Sequence, residues 1–305
     1  MRLLAGGEFS MGSEHFYPEE APVRRVRVDP FQIDEVPVTN AAFAAFVAAT
    51  GHVTRAERAP GAASTVFDPS RPTLDLRDPH SWWLSCPGAD WCHPLGPGSG
   101  IVHLAEHPVV HVTFSDAIAY ATWAGKALPT EAQWEFAARG GLDNFDYAWG
   151  SEFEPGGVPQ ANYWQGEFPL HNSMRDGWER TSPVRSFPAN GFGLFDTIGN
   201  VWEWTADWWS WPIPVRHAAG ESGCCIQAPL GGDEASSRDA LFGGRVARKV
   251  IKGGSHLCAV NYCRRYRPAA RHPQELGMAT SHIGFRCVVN HPGGCGRAMQ
   301  APADA

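Results

Sequence analysis

The sequence has no apolar run that approaches the length of about 20 residues needed to span a bilayer. Its N-terminal segment carries one basic residue but no sustained apolar stretch, so we expect no signal peptide. These absences favour the cytoplasm, where cysteines are usually thiols, ligands or catalysts rather than disulfides. The net charge of −7 is modest and favours neither a nucleic-acid partner nor a membrane surface.

Several common catalytic motifs are also missing. There is no GxxxxGK[ST] loop for phosphate, no GxSxG nucleophile elbow and no HExxH zinc motif. The chain shows no internal repeat and no clear domain break. We therefore expect a single domain over residues 1–290, followed by a loose tail over residues 291–305.

Glycine, proline and tryptophan are abundant. The chain holds 33 Gly, 25 Pro and 13 Trp among 305 residues. So much glycine and proline predicts irregular structure with short strands and helices. The tryptophans can still supply a core, because each aromatic side chain buries a large area.

Three segments combine a capping residue, an apolar face and a closing glycine, which predicts three helices. The cap and the closing glycine are Thr39 or Asn40 with Gly51, Ser115 with Gly125, and Thr130 with Gly140. Gln133 completes a capping box with Thr130.

Alternating patterns predict strands in four places. These are residues 1–35, residues 107–114 (HPVVHVTF), the segment from Asn200 to Trp211, and HIGFRCVV near the C-terminus, in which we expect Phe285 and Cys287 to be buried. Residues 57–100 favour a long irregular insertion held by its tryptophans.

His103, His107 and His111 have the spacing of a helical metal site, but Pro108 excludes a regular helix there. On a strand, His107 and His111 could share a face. We favour ordinary histidines over a metal role.

The segment from Lys252 to Arg271, KGGSHLCAVNYCRRYRPAAR, carries the most distinctive residues. An extended chain would place the Cα atoms of Cys258 and Cys263 roughly 17 Å apart. A disulfide or a shared metal ion therefore requires the segment to turn back on itself. Two buried hydrophobic cysteines are the simpler alternative.

Oxygen donors occur in two turn-rich segments. Asn162 and Asp176 lie in one, and Asp196 and Glu203 in the other. Calcium prefers six to eight such oxygens. Neither segment is an EF-hand loop, and composition alone favours exposed carboxylates.

The chain resembles the formylglycine-generating enzymes, also called sulfatase-modifying oxidases. The resemblance rests on GGSHLCAVNYCRRYRPAAR, HIGFRC, GNVWEWTADWW, LPTEAQWEFAARGG, NYWQGEFP, NGFGLFD and GGEFSMGS, which occur in the order typical of that family over residues 5–289. The two cysteines mark the oxidase branch, since the remaining motifs also occur in non-catalytic relatives.

The resemblance implies a compact α+β fold related to C-type lectins. It also implies a reaction in which O₂ oxidises a cysteine in a sulfatase CxPxR motif to Cα-formylglycine, with a Cu(I) ion as cofactor and a thiol as reductant. Soft thiolates suit Cu(I) better than harder ions.

The resemblance assigns roles to individual residues. Cys258 and Cys263 would bind copper, Ser255 would lie beside the substrate thiol, and Trp202, Tyr262 and Arg265 would line the pocket. A structural salt bridge is an equal alternative for Arg265. We expect neither His256 nor His282 to be a ligand.

The resemblance further implies two structural calcium ions. One would use Asn162 and Asp176 with the Tyr163 and Trp178 carbonyls, and the other Asp196 and Glu203 with the Gly199 and Val201 carbonyls. Pro268 stands where secreted relatives have a cysteine, and Ala259 where many have histidine. We expect free thiols at Cys224 and Cys225.

Two other functions remain as alternatives. The first is a non-catalytic, lectin-like binding module, against which the presence of both cysteines argues. The second is a different metal oxidase on the same scaffold, such as a sulfoxide synthase of thiohistidine synthesis. Those enzymes carry an additional helical domain for which this chain has no room.

Overall fold

The computed structural model describes residues 1–58, 63–70, 75, 77–213, 226–227, 232–238 and 246–290. These residues form short elements joined by long turns. The helices are α1 (Asn40–Thr50), α2 (Phe114–Trp123) and α3 (Glu131–Arg139). The strands are β1 (Arg2–Leu4), β2 (Gly7–Met11), β3 (Arg24–Val28), β4 (Phe31–Ile33), β5 (Ala63–Phe67), β6 (Trp83–Pro87), β7 (Gly166–Glu167), β8 (His171–Asn172), β9 (Trp202–Trp208), β10 (Ile226–Gln227), β11 (Arg248–Lys252), β12 (Arg271–Glu275), β13 (Ile283–Gly284) and β14 (Val288–Asn290).

The caps predicted for α1 and α3 are confirmed. Thr39 accepts a hydrogen bond from the Ala42 backbone N–H, and Thr130 and Gln133 form a reciprocal capping box. Gly51 and Gly140 close these helices in the left-handed conformation, with φ of 67° and 60°.

The cap predicted for α2 is wrong. Thr113 caps this helix, and the Asp116 carboxylate accepts from the Thr113 backbone N–H, so Ser115 already lies in the first turn. Thr113 is completely buried in extended conformation, which suits a cap. The predicted closing residue, Gly125, does follow the helix in a left-handed conformation.

The strand predicted for residues 107–114 is also wrong. That segment makes one isolated bridge, between Thr39 and Pro108, before α2 begins. His107 and His111 do not share a strand face: His107 contacts Thr181, and the His111 ring contacts Ser64 and the Pro94 carbonyl. The described part of residues 57–100 is more regular than predicted, because β5 and β6 pair antiparallel.

A four-stranded sheet with the order β12-β11-β9-β13, named the central sheet here, contributes buried residues of β9, β11 and β13 to the core. Strand β11 is buried along its whole length and pairs antiparallel with both neighbours, whereas β13 pairs parallel with β9. The predicted strand near Trp202 is therefore confirmed as β9. The C-terminal strand is divided into β13 and β14, with Phe285 and Cys287 buried between them as predicted.

Two smaller sheets, β1-β4-β14 and β10-β3-β2, contain the predicted N-terminal strands. Apolar residues of β1, β2, β3, β4 and β14 pack with Ala132 and Ala137 of α3. Helices α1 and α2 pack against the central sheet around Phe43, Tyr120 and Phe285. No helix in the described part of the chain is long and apolar enough to cross a membrane.

Candidate active site

The cysteine-bearing segment is the connection between β11 and β12. Its ends are fixed by strand pairing, since Lys252 lies opposite Arg271. Gly254 has a φ of 72°, and a Cβ atom there would approach the Arg265 carbonyl oxygen to 2.5 Å. Only glycine fits this close approach. The glycine therefore allows residues 254 and 265, at the two ends of the cysteine-bearing turn, to pack directly against each other.

Cys258 and Cys263 face each other within this connection. Their Sγ atoms lie 3.5 Å apart. A single turn brings them together, because the Cys263 and Tyr262 backbone N–H groups both donate to the Ala259 carbonyl, over 2.8 and 3.2 Å. The prediction that the segment turns back is confirmed. The separation exceeds the disulfide bond length of about 2.05 Å, so both residues are free thiols.

Backbone hydrogen bonds hold Cys258 from two sides. Its carbonyl accepts from the Trp164 N–H over 3.0 Å, and its own N–H donates to the Ser255 carbonyl over 2.9 Å. The Ser255 N–H in turn points to the Cys258 sulfur at 3.4 Å. Ser255 therefore lies next to the Cys258 sulfur, and Cys258 has little freedom to move; the role of Ser255 beside a substrate thiol stays a prediction.

The two thiols differ in acidity. Hydrogen bonding with Cys258, followed by the charge of Arg265, lowers the pKa of Cys263 to about 7 against the opposing effect of burial. Burial raises the pKa of Cys258 well above its ordinary value, and the bond with Cys263 adds to this. Cys263 therefore ionises first, and its thiolate is stabilised by a neighbouring thiol and a cation.

Aromatic rings form one wall beside the sulfur pair. The Tyr262 ring, 48% exposed, stacks on Phe168 at 4.7 Å and meets Trp82 edge-on at 5.0 Å. Tyr262 is thus partly open to solvent. Trp202 is buried at the start of β9, in the same packed cluster as Cys258.

Arg265 belongs to an ion pair with Glu19, and its guanidinium carbon lies 4.0 Å above the Tyr17 ring. The structural salt bridge is therefore present, in addition to the nearness of Arg265 to Cys263. Sequence reasoning missed Tyr17 and Glu19, because no local spacing links the N-terminus to residue 265.

The nearby histidines are neutral and bound to other groups. His256 Nδ1 contacts the Asn200 carbonyl at 2.8 Å, and His282 Nδ1 contacts the Thr280 hydroxyl at 2.9 Å. Burial lowers the pKa of His256 to about 4 and that of His282 well below its ordinary value. Both rings therefore stay uncharged at neutral pH.

The first predicted calcium set fits a cation. Asp176 Oδ1 accepts from the Trp178 N–H, whereas the buried Oδ2 has no hydrogen-bond partner. Burial raises the pKa of this carboxyl, as expected for a carboxylate that lacks its counter-charge. Gln165, which the sequence did not single out, donates to the Tyr163 carbonyl and accepts from the Asp176 N–H. The amide of Asn162 donates to the Arg180 carbonyl.

The second predicted calcium set is more fully bonded. The Asp196 oxygens accept from the Arg185 N–H and the Asn200 amide. Glu203 accepts from the Arg286 guanidinium at both oxygens and from the Trp134 indole. This set fits a cation less well than the first, because a guanidinium already neutralises Glu203. Among the described residues, no three His, Cys, Asp or Glu side chains form a metal-holding group.

The family model for the sulfatase-modifying factor enzyme 1-like domain matches residues 1–291. The formylglycine-generating enzyme of Mycobacterium tuberculosis is 50% identical over 302 residues, covering 94% of this chain and 96% of that protein. The chain belongs to the sulfatase-modifying factor, or formylglycine-generating enzyme, family. The resemblance found in the sequence motifs is therefore confirmed.

Members of this family are not all catalysts. The mouse protein named inactive C-alpha-formylglycine-generating enzyme 2 is 47% identical over 298 residues, covering 93% of this chain and 84% of that protein. PvdO from Pseudomonas aeruginosa shares the fold, with a TM-score of 0.61 and 24% identity over 95% of this chain and 93% of that one. Membership thus fixes the fold, while activity has to be argued from the site.

Proposed function

We propose that this protein is an oxidase that converts the cysteine of a CxPxR sequence in a sulfatase polypeptide to Cα-formylglycine. The observation that carries the proposal is the pair of free thiols, Cys258 and Cys263, with sulfur atoms 3.5 Å apart beside an open aromatic wall. The family relatives named formylglycine-generating enzymes support it. A purely structural role would need neither two unlinked thiols nor a lowered pKa at Cys263.

Cys258 and Cys263 would hold one copper ion as Cu(I). Two adjacent soft sulfur donors, one of which ionises near neutral pH, match the preference of Cu(I). When bound, Cu(I) supplies the electron-transfer chemistry that a reaction with O₂ requires. The backbone hydrogen bonds around Cys258 hold its sulfur in place before copper binds. Binding would therefore cost little conformational entropy at this residue.

The overall reaction balances with an external thiol. The substrate –CH₂–SH, one O₂, and two electrons with two protons from two thiols give –CHO, H₂S and H₂O. The substrate carbon loses two electrons, and the two thiols lose two more as they join in a disulfide. O₂ accepts all four, and the carbon–sulfur bond of the substrate is broken.

The remaining site residues would orient the peptide. The Ser255 hydroxyl accepts the Leu257 N–H, which leaves its proton free to donate towards a sulfur or oxygen atom beside Cys258. Tyr262, Phe168 and Trp82 would offer an apolar wall for a peptide next to the sulfur pair. Trp202 would close the buried side.

Calcium is proposed as a structural ion, held first by Asn162 and Asp176 with the Tyr163 and Trp178 carbonyls. Asp196 and Glu203, with the Gly199 and Val201 carbonyls, form the second proposed site. A cytoplasmic location stays a prediction, supported by the five described cysteines, which are all free thiols. Cys224, Cys225 and the predicted tail over residues 291–305 lie outside the described residues.

Cysteine replacement tests the proposal. Cys258→Ser and Cys263→Ser should each abolish turnover of a CxPxR peptide and strongly weaken Cu(I) binding. Cys86→Ser is the matched control, because Cys86 is a free, only partly buried cysteine of β6 and its replacement should leave both properties unchanged. Full activity in either site variant would contradict the proposal.

A further inference from the structure

The loop of residues 12–23 between β2 and β3 lies against the arginines that follow Cys263. Its first residue is fixed to α3, since the Gly12 N–H donates to Glu135 over 2.8 Å and its carbonyl accepts from Arg139 over 3.0 Å. Gly12 has a φ of 96°, and a Cβ atom there would lie 2.4 Å from the Glu20 carbonyl oxygen. The loop therefore starts from a fixed point and is folded tightly on itself.

Two side chains of this loop contact the arginine segment. The Tyr17 ring lies 4.0 Å below the guanidinium carbon of Arg265, and its hydroxyl accepts the Arg264 backbone N–H over 3.0 Å. The Glu19 carboxylate forms an ion pair with the same Arg265. Arg265 is thus held by an aromatic face and a carboxylate from the other end of the chain.

Arg265 keeps a buried donor without a partner although it is anchored by the aromatic ring and the carboxylate of the loop. The Nε atom of Arg265 is buried and has no hydrogen-bond partner in the structure, and the side chain is only 19% exposed. Arg265 lies two residues after Cys263, and its backbone packs against Gly254. The neighbour of that glycine, Ser255, directs its N–H at the Cys258 sulfur. An anchored, partly desolvated cation beside two sulfurs interacts with them more strongly than a mobile surface arginine would.

The net charge of a copper-loaded sulfur pair gives the held Arg265 guanidinium an electrostatic role. Two thiolates and one monovalent cation carry a net charge of −1, which a nearby guanidinium can balance. We propose that Tyr17 and Glu19 are positioning residues, which hold the Arg265 guanidinium beside Cys263 so that its charge balances the anionic sulfur pair when Cu(I) is bound. This inference rests on the proposed function, because it requires Cu(I) at Cys258 and Cys263.

The test measures the Cu(I) dissociation constant of the full chain by competition with a chromophoric Cu(I) chelator. Tyr17→Leu and Glu19→Gln should raise it about three- to tenfold, as expected for losing a partly buried cation–π contact or its ion pair. Tyr17→Phe keeps the ring and should retain most of the affinity. Glu14→Gln is the matched control, since Glu14 lies in the same loop and bonds the Val23 N–H instead.

The direction of the Glu19→Gln effect separates positioning from simple electrostatics. Cu(I) replaces the thiol protons of the pair and leaves the site more negative, so removal of a nearby negative charge should by itself tighten Cu(I) binding, whereas loss of the Arg265 anchor should weaken it. The melting temperature of the copper-free proteins shows that the comparison is between folded chains. If Tyr17→Leu does not fold, the Glu19→Gln result decides alone.

Two outcomes would overturn the inference in different ways. If wild type binds Cu(I) and Glu19→Gln binds it as tightly or more tightly, the positioning role is refuted while the proposed oxidase stands. If wild type binds no Cu(I), the proposed function fails and this inference fails with it.

Discussion

Glu20 and Arg267 form a bidentate ion pair between two almost fully buried side chains that are 247 residues apart in the sequence. The Phe16 ring lies 3.7 Å from the Arg267 guanidinium carbon and covers one face of the pair. Burial raises the pKa of Glu20, and the Arg267 cation opposes this rise. The pair fastens the N-terminal loop to the segment that carries the cysteines.

Glu20→Gln should lower the free energy of unfolding by about 3–5 kcal/mol, because it leaves the Arg267 charge buried without a counter-ion. Denaturant unfolding at neutral pH measures this loss. Glu8→Gln, in the exposed pair with Arg25, serves as the control and should shift the midpoint little. An equal effect of the two substitutions would show that burial does not govern the Glu20–Arg267 pair.

Glu135 should give the protein an acid-sensitive stability. Burial alone would raise the pKa of this carboxyl, but the Lys252 and Arg139 cations hold it at about 2. The folded-state pKa lies below the ordinary value, so the stabilisation is fully present above about pH 4.5 and disappears as the pH falls towards 2. It amounts to about 3 kcal/mol at neutral pH.

Urea unfolding of wild type and Glu135→Gln at pH 7, 4 and 3 tests this account. The variant should be less stable at pH 7, and the difference should shrink as the pH falls, because the wild-type carboxyl becomes protonated. A difference that stays constant from pH 7 to pH 3 would contradict the depressed pKa.

The cap of α2 offers a direct comparison of two neighbouring residues. Thr113→Ala removes the buried capping hydroxyl and should cost about 1–2 kcal/mol, whereas Ser115→Ala should cost much less. Thermal unfolding of the two variants checks this difference. A larger loss for Ser115→Ala would restore the cap expected from the sequence.

Calcium should stabilise the folded chain through Asp176, whose buried Oδ2 has no donor. Saturating Ca²⁺ should raise the melting temperature by about 5 °C over chelator-treated protein. Asp176→Asn should reduce that rise, and Glu179→Gln, an exposed neighbour, should not. Identical melting curves with calcium and with chelator would refute the proposed ion.

Local signals predicted much of the framework. Helices α1 and α3 carry their caps and closing glycines within the sequence, and strand β9 carries its own alternation. The turn that joins Cys258 and Cys263 could be anticipated because any cooperation of the two residues required it. Residues 107–114 misled the prediction, because a buried irregular segment can show the same alternation as a strand.

Long-range contacts could not be predicted in this way. The pairing of Glu19 with Arg265 spans 246 residues, and nothing in the spacing of either segment signals it. The cap of α2 likewise depends on tertiary structure, because Thr113 and Ser115 are both suitable residues and only burial and Asp116 decide between them. The sequence identified candidate chemical groups at the cysteine turn. Tertiary packing determines which distant residues contact them.

The most direct test of the central claim uses mass spectrometry of a short peptide that contains CTPSR. The purified full chain is incubated with this peptide, Cu(I), a thiol reductant and air, and a parallel reaction uses Cys263→Ser. The account predicts loss of the peptide thiol and a hydrazine-reactive aldehyde at that cysteine, with wild type only. An unchanged peptide in the presence of copper-loaded wild-type protein would contradict it.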